Sequence, residues 1–176
     1  MKTTGVVRRI DDLGRIVIPK EIRRTLRIRD GEPLEISVDK EAITLKKYSS
    51  IQDLSEIAKN LVETISNSLN KIIMITDRDK FIAVSRENRK DYIDKNMSTY
   101  LEEVMKLREK VIQKKIDNIQ LIESNDEKFS YVIVPIILSG DPIGNVIIAS
   151  INETVTDLDE KVAVITASFL ANYIEE

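Results

Sequence analysis

The chain contains no cysteine, no histidine and no tryptophan. The first two absences exclude disulfides, thiolate nucleophiles, Cys/His zinc sites and any Ser-His-Asp relay, which removes much of enzymology. Also lacking is an apolar run near the roughly 20 residues that span a bilayer, and the N-terminus does not have the basic-then-apolar layout of a signal peptide. A cytoplasmic protein with no membrane association is therefore expected. What remains is an ordinary globular composition, 42% hydrophobic and 32% charged over 176 residues, too apolar for disorder and long enough for one domain or two.

Charge is unevenly spread. Residues 1–48 carry 12 Lys+Arg against 8 Asp+Glu, whereas residues 49–176 carry 15 against 22, so a net charge of −3 conceals a basic head on an acidic remainder. Such asymmetry suggests a basic contact module, with a merely solvated basic face as the bland alternative.

Val7 to Arg24 concentrates that charge in Arg8, Arg9, Arg15, Arg23, Arg24 and Lys20. Thr3 to Ile10 alternates and is β-branched, Asp11 to Gly14 has turn chemistry, and Arg15 to Ile18 reads as a second strand, which predicts a hairpin over residues 3–18. Pro19 ends it, and its preset φ suits the first position of a helix over Lys20 to Ile28 that buries Ile22 and Leu26 and stops near Asp30-Gly31. Leu34, Ile36 and Val38, then Ile43 and Leu45, predict a second hairpin. A ββαββ unit of this size buries too little apolar surface to be stable alone, and sharing a core with a second copy is the economical remedy.

The run Gly5-Val6-Val7-Arg8-Arg9-Ile10-Asp11-Asp12-Leu13-Gly14-Arg15-Ile16-Val17-Ile18-Pro19, followed by Glu21-Ile22-Arg23-Arg24 and continued through Leu34-Glu35-Ile36 to Leu45-Lys46-Lys47-Tyr48, resembles the DNA-binding domain of the AbrB family of bacterial transition-state regulators. The resemblance implies a β-rich swapped-hairpin homodimer that presents Arg8, Arg15, Arg23 and Arg24, with Arg9 beside them, to double-stranded DNA. Arginine suits that role because its planar fork binds phosphate or guanine bidentately and never loses its charge. Against it, Arg8 and Arg15 could pair with Asp11 and Asp12 within the hairpin, and Arg23 and Arg24 could be a solvated helix face. Arg27 and Arg29 are read as surface.

Beyond Tyr48, Ser49-Ser50 has the character of an N-cap. Ile51, Leu54, Ala58, Leu61, Ile65 and Leu69 then recur near a heptad spacing, which predicts a helix over 51–69 packed on another helix or on its own domain's core. A hairpin follows at Ile72 to Thr76 and Phe81 to Ser85. Next comes a polar stretch from Arg86 to Asn96, and then a helix with Thr99 and Glu102 as a capping box and Leu101, Val104, Met105 and Val111 as its stripe. A strand is expected near Asn118 to Glu123, a strand buried on both faces from Tyr131 to Leu138, a turn at Ser139 to Pro142, a strand from Ile143 to Ile151, and a helix from Asp157 to Tyr173 striped by Leu158, Val162, Ile165, Phe169 and Tyr173. Asp157 and Glu160 stand where the helix dipole favours acids.

This element order, with the Pro135 to Gly144 stretch, resembles a GAF domain: an α/β fold with an antiparallel sheet and flanking helices, here residues 51–176 including the connecting helix, behind an AbrB-like domain at 1–50. The combination resembles sporulation regulators built from those two parts. It implies activation and repression of late, forespore-side genes, and a homotetramer held through the first and last GAF helices. It implies no cofactor. The His or Cys ligand of haem and the Cys attachment of bilins are missing, and none of Phe81, Phe129 and Phe169 is followed by the Asp-Glu of the cyclic-nucleotide signature. A pocket between the helix around Leu101 and the strand around Val132 is the expected place for an unknown small-molecule effector, against an empty structural GAF domain. Two other readings are an antitoxin-like protein whose C-terminal region binds a partner protein, and a metal enzyme using Asp77, Asp79 and Asp141; in the latter each aspartate sits where a turn explains it.

Overall fold

The computed structural model describes residues 5–40, 42–48, 55–85 and 89–175. Two compact units divide the chain, Met1–Tyr48 and Ser49–Glu176. Among the described residues no helix is long and apolar enough to cross a membrane.

In the first unit, residues 5–19 run without a strand ladder around a turn at Asp11 to Gly14. The Asp11 N–H donates to Arg15 O at 3.1 Å, and Gly14, at φ +74°, donates to Asp11 O at 3.0 Å. Within residues 5–19 this Asp11–Arg15 contact is the one rung across the turn, so the described parts of the strands expected at Thr3 to Ile10 and Arg15 to Ile18 do not form a ladder here, and Thr3 and Thr4 lie outside the described residues. The reason is physical: Val7 is 92% and Val17 74% exposed, and an isolated two-stranded ribbon is marginal in water.

Pro19 is the residue before helix α1 (Lys20–Thr25), not its first position. The helix also ends earlier than Ile28, because Arg27 takes a left-handed φ of +53° and the Ile28 N–H closes back on Arg23 O at 2.7 Å, a Schellman-type stop. None of its residues is buried, so Ile22 and Leu26 do not form the expected buried stripe. Strands β1 (Leu34–Asp39) and β2 (Ala42–Lys47) form the second hairpin as expected, in a register that sets Ile36 beside Leu45 and Val38 beside Ile43. All four side chains are exposed.

The second unit is a five-stranded antiparallel sheet between two helical layers. Its elements are α2 (Ser55–Leu69), β3 (Ile72–Thr76), β4 (Phe81–Val84), the short α3 (Arg89–Tyr92), α4 (Thr99–Leu107), β5 (Val111–Ile122), β6 (Asn125–Leu138), β7 (Asp141–Ser150) and α5 (Asp157–Glu175). Strand order is β4-β3-β7-β6-β5. Central β6 and β7 are buried on both faces: Val132, Val134, Ile136, Val146 and Ile148 face α2 and α5, while Tyr131, Ile133, Ile147 and Ala149 face α4. That explains the near-continuous apolar run from Tyr131 to Leu138.

Several expectations are corrected. Ser98, not Thr99, caps α4: its Oγ accepts from Leu101 N at 3.3 Å and donates to Gln120 O at 2.6 Å. Arg108, at φ +60°, then ends that helix, which releases Val111 from the helical stripe into β5 and starts that strand well before Asn118. The capping box stands on α5 instead, where Asp159 Oδ2 accepts from Thr156 N at 2.6 Å and Asp159 N donates back to Thr156 Oγ1 at 3.4 Å. Leu101 and Val132 lie on opposite faces of the sheet, both fully buried, so no pocket opens between them. The cap at Ser49-Ser50 and the positions Ile51 and Leu54 lie outside the described residues. In the described part of α2, Ala58 and Val62 are buried against the sheet, with Leu61, Ile65 and Leu69 at the margin. The sheet-facing side of α5 is instead lined by Ala163, Thr166, Ala167, Leu170 and Ala171.

Candidate nucleic-acid interface

Each expected contact residue lies in the first unit, in two groups joined by Pro19. Arg8 and Arg9 precede the Asp11 turn and Arg15 follows it; Arg23 and Arg24 stand on α1. All are exposed except Arg23, which is half-buried.

The turn forms because one carboxylate organises it. Asp11 Oδ1 accepts from Leu13 N at 3.1 Å and Arg15 N at 2.8 Å, while Oδ2 accepts from Arg15 Nε at 2.7 Å. The Arg15 backbone N–H, and after it the guanidinium, hold the Asp11 carboxyl below its usual range. The ion-pair alternative is thus realised for Arg15 with Asp11, yet pairing through Nε leaves the terminal nitrogens as donors for a ligand. The second holder is Asp30, whose Oδ1 accepts from Arg23 Nη1 at 2.5 Å. Arg23 Nε is buried without a hydrogen-bond partner. Arg8, Arg9 and Arg24 make no ion pair among the described residues.

Sequence reasoning missed Asp30, which stands seven residues beyond its arginine across a helix stop. It also missed Glu32, which accepts from Arg29 N at 2.7 Å and lies 3.3 Å from Lys47 Nζ, so that the α1–β1 loop is tied to β2. The carboxylate-metal alternative finds a backbone role at Asp77, whose Oδ1 accepts from Asp79 N at 2.8 Å and Lys80 N at 2.7 Å. Burial raises the Asp77 pKa against those two hydrogen bonds. Among the described residues no cluster of three or more acidic ligands could hold a metal ion.

Residues 53–175 match the family described as stage V sporulation protein T C-terminal, transcription factor, and residues 7–53 match antidote-toxin recognition MazE, bacterial antitoxin. The chain is 48% identical to stage V sporulation protein T of Bacillus subtilis (strain 168), covering 100% of both chains. Over 48 residues it is 62% identical to transition state regulatory protein AbrB of the same strain, covering 27% of this chain and 50% of that protein. The GAF domain of a phosphoenolpyruvate-protein phosphotransferase from Coxiella burnetii shares the fold of the second unit, with a TM-score of 0.55 at 17% identity over 69% of this chain and 82% of that one. An AbrB-type DNA-binding unit followed by a GAF-like unit, matched end to end at this identity, makes the chain a member of the stage V sporulation protein T family of transcription factors rather than of any enzyme family.

Proposed function

We propose that the protein is an oligomeric regulator that activates and represses late, forespore-specific sporulation genes in the cytoplasm of the forespore. Arg8, Arg9, Arg15, Arg23 and Arg24 contact the DNA. The functional division is 1–50 for DNA binding and 51–176 for assembly and sensing, with 51–69 as the connecting helix. One observation carries this reading. The first unit fully buries none of its described apolar side chains, leaving Val6, Val7, Ile16, Val17, Ile36, Val38 and Ile43 exposed in the unit that carries those arginines. Two copies that interleave their hairpins would cover that surface and double the arginine array.

If four arginines per subunit meet phosphate, a dimer neutralises eight charges, and log K should fall against log salt with a slope of about −7. Titration on operator DNA across salt concentrations measures it; a nearly flat response refutes the phosphate assignment.

The α5 stripe supports a second association. Leu158, Ile165, Phe169 and Tyr173 are exposed, and the Phe169 and Tyr173 rings lie 6.0 Å apart. Substituting Phe169 with glutamate is expected to reduce a tetramer to dimers without unfolding, as read by light scattering and melting; a variant that stays tetrameric removes α5 from the interface. Two linked heads raise apparent affinity for paired DNA sites through effective concentration. The antitoxin-like alternative draws on the 7–53 match alone and leaves the transcription-factor match of the remainder without a role.

A further inference from the structure

The first unit fully buries no apolar side chain among its described residues, yet it buries a carboxylate. The Glu32 side chain is 3% exposed and that of its partner, Lys47, 23%. A charge leaves water at tolerable cost only where other bonds replace its hydration, and each of these two groups is used twice. Glu32 Oε1 lies 3.3 Å from Lys47 Nζ, while Oε2 accepts from Arg29 N at 2.7 Å. Lys47 Nζ in turn donates to Arg27 O at 3.2 Å. From the last residue of β2, the pair therefore grips the backbone after α1 at two points.

That stretch of backbone is where α1 ends. Arg27 stands in the left-handed region at φ +53°, which is unfavourable for a residue with a Cβ and persists only when its surroundings hold it. Its N–H donates to Arg24 O at 3.2 Å, and the next N–H, that of Ile28, donates to Arg23 O at 2.7 Å. Polar contacts thus lead from Glu32 and Lys47 through the helix stop to the carbonyls of Arg23 and Arg24. α1 has six residues, buries none of them and has no side-chain cap at its start, so its own contacts do little to fix its direction. A small rotation of so short a helix would carry both guanidinium groups away from their targets.

We propose that Glu32 and Lys47 are positioning residues for DNA recognition: their pair fixes α1 on the β1–β2 hairpin and so sets where Arg23 and Arg24 meet the duplex. The proposal rests on the reading that those two arginines contact DNA. Lys47 belongs to the basic run that ends the unit, but it is mostly covered and engaged with Glu32 and Arg27 O, so it acts through α1 rather than on phosphate. Lys46 beside it is exposed.

Because the two partners carry opposite charges, positioning and simple electrostatics predict different results. Acting through its field alone, a lost cation weakens DNA binding and a lost anion strengthens it. Positioning makes both losses harmful. The experiment compares the full-length parent with Lys47→Met, Glu32→Gln and Lys47→Arg on two duplexes of equal length, one selected by the parent from a random-sequence pool and one unselected. Lys47→Met and Glu32→Gln are each expected to weaken binding of the selected duplex about tenfold, within the range for members of one polar network, and to change the unselected one by less than about threefold. Lys47→Arg keeps the charge and the donors and should bind as the parent does. In an Arg24→Ala background, Lys47→Met should cost less than it does alone, and the salt slope should stay that of the background.

A Lys47→Met loss that multiplies with that of Arg24→Ala, with a salt slope shallower by about 1.8 for two contacts in a dimer, would make Lys47 a phosphate ligand and overturn the positioning role. Tighter binding of both duplexes by Glu32→Gln overturns it as well, as does parental affinity in both variants. Equal weakening on both duplexes together with lowered melting assigns the pair to folding alone, which also overturns it. If Arg24→Ala itself binds the selected duplex as the parent does, the arginine reading fails first, whatever the pair variants do.

Discussion

Replacing Asp159 with alanine is expected to destabilise the second unit by about 3–5 kcal/mol, because it strands a buried ammonium. The Lys71 and Asp159 side chains are 6% and 2% exposed. Asp159 Oδ2 also accepts from Thr156 N at 2.6 Å and Thr156 Oγ1 at 2.8 Å, so one carboxylate neutralises the lysine and caps the first turn of α5. For a chain of this size the loss corresponds to a drop of roughly 10 °C in Tm. A control separates the two roles. Lys71→Met combined with Asp159→Leu removes both charges into similar volume and is expected to recover most of the loss, since apolar replacement of a whole buried pair is often neutral. A single-variant cost under about 1 kcal/mol, the range of exposed pairs, would mean that water reaches the pair.

The same pair sets a pH dependence whose sign is determined. Burial alone raises the Asp159 pKa, but the hydrogen bonds from Lys71 and Thr156, with the Lys71 charge, outweigh it and leave the pKa below its ordinary 3.8. A carboxyl depressed in the folded state contributes stability that is present above its unfolded pKa and lost as pH falls through the folded one. The gap between the parent and Asp159→Ala should therefore be constant from neutral pH to about 4 and narrow below that. Asp77 works in the opposite sense. Its pKa is raised by burial, so protonation favours the folded state and offsets part of the acid loss.

How much of this was legible beforehand depends on whether the signal is local. The double-sided burial of Tyr131 to Leu138 was visible because a strand without polar alternation has few other interpretations. The β1–β2 hairpin was visible because Ile36, Val38, Ile43 and Leu45 alternate around a turn. Thr99 and Thr156 each offer a hydroxyl with an acid three residues on, and tertiary contacts decide which forms the capping box: Ser98 reaches Gln120 on β5, whereas Asp159 meets Lys71. The apolar spacing of Leu158, Val162, Ile165, Phe169 and Tyr173 is legible in the sequence as one face of a helix. That Ala163, Thr166, Ala167, Leu170 and Ala171 face the sheet, rather than Leu158, Ile165, Phe169 and Tyr173, follows from how closely the helix lies on the sheet, which is a tertiary fact. At the interface, arginine identity and spacing are plain and Asp11 is already a candidate partner for Arg15, whereas Asp30 becomes visible as the holder of Arg23 only once the helix stop is placed.

Substituting Arg15 with alanine is expected to weaken operator binding about 100-fold while leaving melting and circular dichroism unchanged. The estimate takes roughly 1.5 kcal/mol for one arginine contact and counts it twice in a symmetric dimer. Arg15 is exposed and, among the described residues, its side chain pairs with Asp11, itself at the surface, so folding loses little. Gly14 acts on the same contact through geometry. Its φ of +74° is strained for an L side chain, although a Cβ there would meet nothing within 4 Å, so Gly14→Ala should shift the turn rather than clash. Asp11 decides whether the geometry matters. Asp11→Asn keeps an oxygen that can accept from Leu13 N and Arg15 N but gives up the charge that holds Arg15 Nε. If Asp11 were only a negative charge near DNA, removing it would raise affinity for every sequence and steepen the salt slope. If it positions Arg15, specific affinity falls while binding to unrelated DNA rises, and the ratio of the two drops further than either change alone. Comparing Kd on operator and random duplex at one salt concentration distinguishes these outcomes, and a specificity ratio equal to that of the parent would leave Asp11 as a turn residue and nothing more.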